Sequence, residues 1–205
     1  MKVLWIGTSI TDQSLDFRGV SEVVGCKLKF LKCFTITRKD GVYRPESNLE
    51  EKLPIALSQS HYDLIIVEAG VNEVTNLRLH PDQKMKNKKA IYPRFLKLYN
   101  IVKSFASQNQ RFVILKGLPR DDLDVNCWAV HRSGQLLDRF WEADSCPSTI
   151  KIENLDIKPG VDIFGIIGTT NPNTGKKCDG IHLRGSEGTL QYSRAAIEML
   201  QRRGV

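Results

Sequence analysis

The sequence predicts an α/β protein in which a parallel sheet is covered by helices on both faces. Short runs rich in β-branched and aliphatic residues recur along the chain, stretches with helical apolar spacing lie between them, and the two kinds alternate from end to end. A chain of 205 residues with 41% hydrophobic content holds one well-buried core and is short for two. One domain over residues 1–205 is therefore expected.

The strand-like runs are Val3 to Ile6, Leu28 to Ile36, Leu64 to Val67, Phe112 to Leu115 and Ile150 to Leu155. Helical spacing appears first in Glu50 to Leu57, with apolar Leu53, Ala56 and Leu57. It returns in Phe95, Leu98, Ile101, Val102 and Phe105, then in Trp128 to Trp141 and in a last stretch from Ser186 to Arg203. Lys84 to Lys89 reads as an exposed loop. The acidic group Asp121, Asp122 and Asp124 suits the cap of a helix beginning near Val125 better than a metal site. The sequence contains no internal repeat and no interdomain linker.

Composition excludes several classes. The start lacks a basic segment followed by an apolar run and small-residue cleavage site, and no apolar stretch approaches the roughly 20 residues that span a bilayer. Five cysteines (Cys26, Cys33, Cys127, Cys146, Cys178) form no Cys-x-x-Cys pair or zinc-like spacing, so a soluble protein of a reducing intracellular compartment is expected. The net charge of +7 is uneven. Arg78 to Arg120 carries eleven Lys and Arg against the single acid Asp82, a net +10, leaving −3 for the remainder. Such a concentrated positive field suits nucleic acid or an anionic membrane surface, with Lys84, Lys86, Lys88, Lys89 and Arg94 as the candidate contacts. A solvated loop and helix face is the competing reading. Tyr92, Phe95 and Tyr99 sit among these bases as stacking platforms do, but their spacing of three and four favours a buried helix face.

In open parallel sheets, ligands gather beyond the carboxyl ends of the strands. Gly7-Thr8-Ser9 follows the first strand, Gly70-Val71-Asn72-Glu73 follows the third, and Asp179-Gly180-Ile181-His182 precedes the last helix. A serine hydroxyl needs an imidazole to take its proton and a third group to orient that imidazole. The spacing of Asp179 and His182 places a carboxylate and an imidazole at one edge of a turn, with Asp179 on Nδ1 and Nε2 facing Ser9. The oxyanion formed on attack needs preorganised donors, for which the Ser9 backbone N–H and the Asn72 amide are candidates. Such chemistry uses neither metal nor cofactor.

The three segments together resemble a known family. VLWIGTSIT, YDLIIVEAGVNEV and CDGIHLRGSEG are similar to the first, third and fifth sequence blocks of the SGNH (GDSL-type) hydrolases, and they span Val3 to Gly188. The resemblance implies a three-layer α/β/α sandwich with a five-stranded parallel sheet. It makes Ser9 the nucleophile, Asp179 the orienting acid, His182 the base and Asn72 an oxyanion donor, with Gly41 of the turn Asp40-Gly41 as a further donor. Thr8 and Glu73 stand where the family usually has Asp, which is expected to alter the support of the oxyanion loop. FVILKGLPRDDLDVN further resembles the esterase domains in first-open-reading-frame proteins of LINE retrotransposons, which work beside nucleic acid. The implied activity is hydrolysis of small acyl esters through an acyl-enzyme. The alternatives are an SGNH-like module, weak or silent in catalysis, that binds RNA through its basic surface, and a lipid-directed hydrolase drawn to anionic membranes.

Other motifs fail on chemistry. Ser9 is followed by Ile10 and Thr11 rather than the x-Gly of an α/β-hydrolase elbow. Gly168 to Lys177 has six residues between its glycines and lacks the hydroxyl residue after Lys176 that a phosphate loop needs. His61, His80 and His131 fall outside any ligand spacing.

Overall fold

A computed structural model describes residues 1–33, 49–68, 84–106, 110–117, 125–143, 146–157, 170, 175, 183 and 185–205, with the side chains of 84–91, 125–131 and 133 outside that description. Among the described residues eleven elements follow in order: β1 (Lys2–Gly7), α1 (Ser9–Ser14), α2 (Phe17–Val24), β2 (Lys27–Lys32), α3 (Leu49–Gln59), β3 (Leu64–Glu68), α4 (Lys84–Ala106), β4 (Arg111–Leu115), α5 (Val125–Ala143), β5 (Ile150–Glu153) and α6 (Gly185–Arg202).

The five strands form one sheet in the order β2-β1-β3-β4-β5, and every neighbouring pair is parallel. Parallel strands covered on both faces must present apolar side chains to each side. β1, β3 and β4 do so by strict alternation. Leu4, Ile6, Ile65, Val67, Phe112 and Ile114 pack with Leu53 of α3, Phe95, Leu98 and Val102 of α4, and Leu137 and Phe140 of α5. Val3, Trp5, Leu64, Ile66, Val113 and Leu115 pack with Ile10 of α1, Val20 of α2, and Tyr192, Ala196 and Met199 of α6. The expected three-layer sandwich with a five-stranded parallel sheet is therefore the observed architecture.

β2 ends at Lys32, and Cys33 donates its N–H to Gly7, the last residue of β1; residues 34–36 of the expected run lie outside the described residues. β5 ends at Glu153, whose carbonyl takes the last ladder bond from Lys116, and Leu155 turns into the core beside α6. On the helical side, α4 begins at Lys84 and runs through Pro93, so the Lys84 to Lys89 stretch is helix rather than loop.

The short helices α1 and α2 are absent from the sequence expectation, and both are set by their ends. Thr8 caps α1 by accepting from the Ile10 N–H at 3.4 Å, and Asp16 caps α2 by accepting from Gly19 at 2.9 Å. Gly25 closes α2 at φ 70°, a left-handed conformation that favours glycine. Phe95 and Tyr99 are fully buried, as their spacing requires, while Tyr92 is exposed and meets Phe140 edge-on.

Candidate active site

From β1 the chain continues to β2 on one side, and β3 pairs on the other, so the sheet's topological switch point lies between β1 and β3. A crevice at the carboxyl ends of the strands flanking such a point is where open α/β sheets bind ligands. Ser9 stands there. One residue, Thr8, separates it from the last residue of β1, it is the first residue of α1, and it is half-buried.

The turn that presents Ser9 is tight. A Cβ added to Gly7 would lie 2.4 Å from Thr11 Oγ1 and 3.1 Å from Glu68 Oε2, so only glycine lets α1 and the end of β3 close over this point. Thr8 is buried, and its hydroxyl caps α1. Asp12, one turn after Ser9, pairs with Lys32 at the end of β2 at 2.6 Å across an exposed rim, and Lys52 of α3 donates to the Lys32 carbonyl at 2.8 Å. Behind α1, Ser193 of α6 accepts from the Asp16 N–H at 3.0 Å.

Beneath Ser9 lies a polar cluster that sequence reasoning missed. Glu68, the last residue of β3, is 5% exposed and accepts from the Tyr192 hydroxyl at 3.1 Å. The same hydroxyl lies 3.3 Å from Thr11 Oγ1. Burial, reinforced by the Glu68 charge, holds the Tyr192 phenol well above its ordinary range, so it remains a proton donor. The phenol's single proton goes to the carboxylate, which leaves Thr11 to donate to the phenol oxygen. The available signal was an acid closing the otherwise apolar run LIIVE. A tyrosine on an apolar helix face carries no such mark.

Of the other expected site residues, Gly41, Asn72, Asp179 and His182 lie outside the described residues, as do Glu73 and the Asp121 to Asp124 cluster. Lys84, Lys86, Lys88 and Lys89 fall on the first turns of α4, and Arg94 is half-buried further along it. Several other bases of the positive segment have structural partners. Lys97 pairs with Glu50 at 2.6 Å, Lys116 with Asp138 at 2.7 Å, and Lys103 lies over the Tyr99 ring. His61 is exposed, and Cys26 and Cys33 are buried. A pocket of about 190 Å³ opens at the opposite edge of the sheet, lined by Arg111, Lys151, Arg202 and Arg203. Arg202 and Arg203 there meet Glu153, and Arg111 donates to the Arg203 carbonyl. Among the described residues no helix is long and apolar enough to cross a membrane.

No protein-family model matches the chain, and neither does any curated protein. Solved structures do. A carbohydrate acetylesterase from Sinorhizobium meliloti superposes with a TM-score of 0.64 at 15% identity, covering 98% of both chains. A psychrotrophic esterase from Pseudoalteromonas gives 0.59 at 12% identity over 98% of this chain and 97% of its own. A catalytic mutant of an acetylxylan esterase from Geobacillus stearothermophilus gives 0.59 at 14%, covering 96% and 92%. The chain is thus similar to these esterases along nearly its whole length in the course of its backbone, and it has the fold they share.

Proposed function

We propose that this protein is a serine carboxylic ester hydrolase of the SGNH type, acting on small acyl esters through a Ser9 acyl-enzyme. The observation that carries the reading is the place of Ser9: first residue of α1, just beyond the carboxyl end of β1, at the switch point of a sheet whose fold is that of esterases. In this reading His182 takes the Ser9 proton as Oγ attacks the ester carbonyl, and Asp179 orients the imidazole and balances its charge. The Ser9 N–H, Asn72 and Gly41 stabilise the oxyanion. Collapse of the tetrahedral intermediate expels the alcohol, which takes the proton back from His182, and water attacks the acyl-enzyme by the same route. No cofactor takes part. Acetyl-type esters are the first substrates to try, since acetylesterases are among the proteins that share this fold.

The test is hydrolysis of short and medium p-nitrophenyl esters by the wild type and by Ser9→Ala. Turnover that disappears with Ser9 supports the reading. Equal rates for the two proteins on every ester overturn it.

A second reading rests on the uneven charge. The +10 over Arg78 to Arg120, with Lys84, Lys86, Lys88 and Lys89 along the start of α4, supports binding of RNA by this face, as the LINE-type resemblance also suggests. Anionic membrane is the competing partner. Filter binding of single-stranded RNA against vesicles rich in phosphatidylserine, each across a salt series, separates them.

A further inference from the structure

Thr11, Glu68 and Tyr192 join three elements that meet nowhere else through buried polar side chains among the described residues: α1, the end of β3, and α6. α1 is six residues long, too short to hold its own shape, so tertiary contacts must fix where Ser9 points. The apolar contact of Ile10 with the core anchors α1, but burial of apolar surface is non-directional and does not by itself set the helix's rotation. Hydrogen bonds are directional, and Thr11 sits two residues from Ser9 on the same turn.

Stability alone does not account for the cluster. A carboxylate 5% exposed is costly to desolvate, and apolar residues of similar volume in its place would serve the core as well or better. The glycine at position 7 is a second concession. It admits the Thr11 hydroxyl and the Glu68 carboxylate to within a side chain's width of the backbone that leads into Ser9. Both features make sense if the geometry around Ser9, rather than the packing, is what they secure.

We infer that Thr11, Tyr192 and Glu68 form a positioning network, in which the Thr11→Tyr192→Glu68 chain of hydrogen bonds locks the rotation of α1 against the end of β3 and so sets the aim of Ser9 Oγ. Glu68 is the fixed acceptor because it is tied to the strand; Tyr192 is the relay because α6 packs across both α1 and α2. None of the three touches substrate. This inference rests on the esterase reading, since it names the residues that orient that reading's nucleophile.

The experiment compares Tyr192→Phe, Thr11→Val, Thr11→Ser, Glu68→Gln and Ser9→Ala with the wild type, in proteins whose folded state is checked by near-ultraviolet circular dichroism. kcat and KM on p-nitrophenyl acetate and the rate of Ser9 labelling by a fluorophosphonate are measured for each. The expected result is a fall in kcat of about 10- to 100-fold for Tyr192→Phe and Thr11→Val, because a misaimed nucleophile loses that much. KM should stay within about twofold, labelling should slow in parallel, and Thr11→Ser should recover most of the rate. Folded Tyr192→Phe and Thr11→Val proteins with wild-type kcat and labelling would overturn the network's role while leaving the esterase reading standing. Wild-type turnover no greater than that of Ser9→Ala would instead overturn the esterase reading, and this inference with it. If Glu68→Gln fails to fold, the two hydroxyl variants decide the matter.

Discussion

The Tyr192 hydroxyl bridges Glu68 Oε2 at 3.1 Å and Thr11 Oγ1 at 3.3 Å, so one phenol on the last helix ties the end of β3 to the helix that begins with Ser9. The surrounding geometry sets several outcomes beyond those already stated for activity.

Gly7→Ala is expected to destabilise the protein by about 1–3 kcal/mol, because the new methyl meets Thr11 Oγ1 and Cβ, which belong to a short, β-branched side chain with little freedom to yield. Urea denaturation checks this. Ester turnover should fall further than stability does, since the strain bears on the turn leading into Ser9.

Alkaline stability follows from two shifted groups. Burial, then the Glu68 charge, raise the Tyr192 phenol well above its ordinary range, and burial raises the Cys26 thiol above its own. Both keep their protons in the folded protein at pH values where the unfolded chain has lost them. The unfolded state then binds fewer protons, the slope of unfolding free energy against pH is negative, and stability declines as pH rises. This contribution is fully present below about pH 9 and diminishes above it. Urea midpoints from about pH 8 to 11 should fall less steeply in Tyr192→Phe and in Cys26→Ala than in the wild type.

The aromatics of α4 divide by burial. Phe95→Ala should cost about 3–5 kcal/mol, because Phe95 is fully buried in the core beneath α3, α4 and α5, whereas Tyr92→Ala, at a 48% exposed position, should cost about 1 kcal/mol or less. Thermal unfolding distinguishes these. If Tyr92 serves RNA by stacking, its replacement weakens RNA binding at unchanged stability.

The rim ion pair Asp12–Lys32 is exposed on both sides, so Lys32→Met should change stability by less than about 1 kcal/mol. Replacing Lys84, Lys86, Lys88 and Lys89 together by Gln should likewise leave the fold intact, yet flatten the salt dependence of RNA binding if that face is the contact. Salt-independent binding by the wild type would remove the RNA reading.

If Asp179 and His182 act as proposed, Asp179→Asn lowers turnover less than His182→Ala, because orienting the imidazole contributes less than accepting the proton. The pH dependence of kcat in the two variants is the measurement.

The architecture was legible in the sequence because hydrophobic periodicity reports burial directly. Leu64 to Val67 and Phe112 to Leu115 are apolar at every position because both faces of a central parallel strand are covered, and the spacing of Phe95, Leu98 and Val102 marks the stripe α4 buries. Ser9 was legible for a related reason: a Gly-x-Ser directly after a first strand falls at a sheet's carboxyl edge whatever the details of packing. The short helices α1 and α2 were not, because six and eight residues give too few apolar repeats to form a pattern, and their capping residues Thr8, Asp16 and Gly25 are common in ordinary turns. The first turns of α4 were hidden by composition, since Lys84 to Lys89 carries only Met85 as an apolar residue and so shows no stripe.

By itself the sequence determined the class of fold, the two apolar faces of the sheet and the position of Ser9, all properties of residues near one another in the chain. Only the tertiary structure decided the strand order, and with it that the end of β1 and the end of β3 are neighbours. It alone brought Thr11, Glu68 and Tyr192 together from positions far apart in sequence. A hydrogen bond between side chains 124 residues apart depends on the register of β1 with β3 and on the packing of α6 across α1, and neither quantity is written in any local stretch of residues.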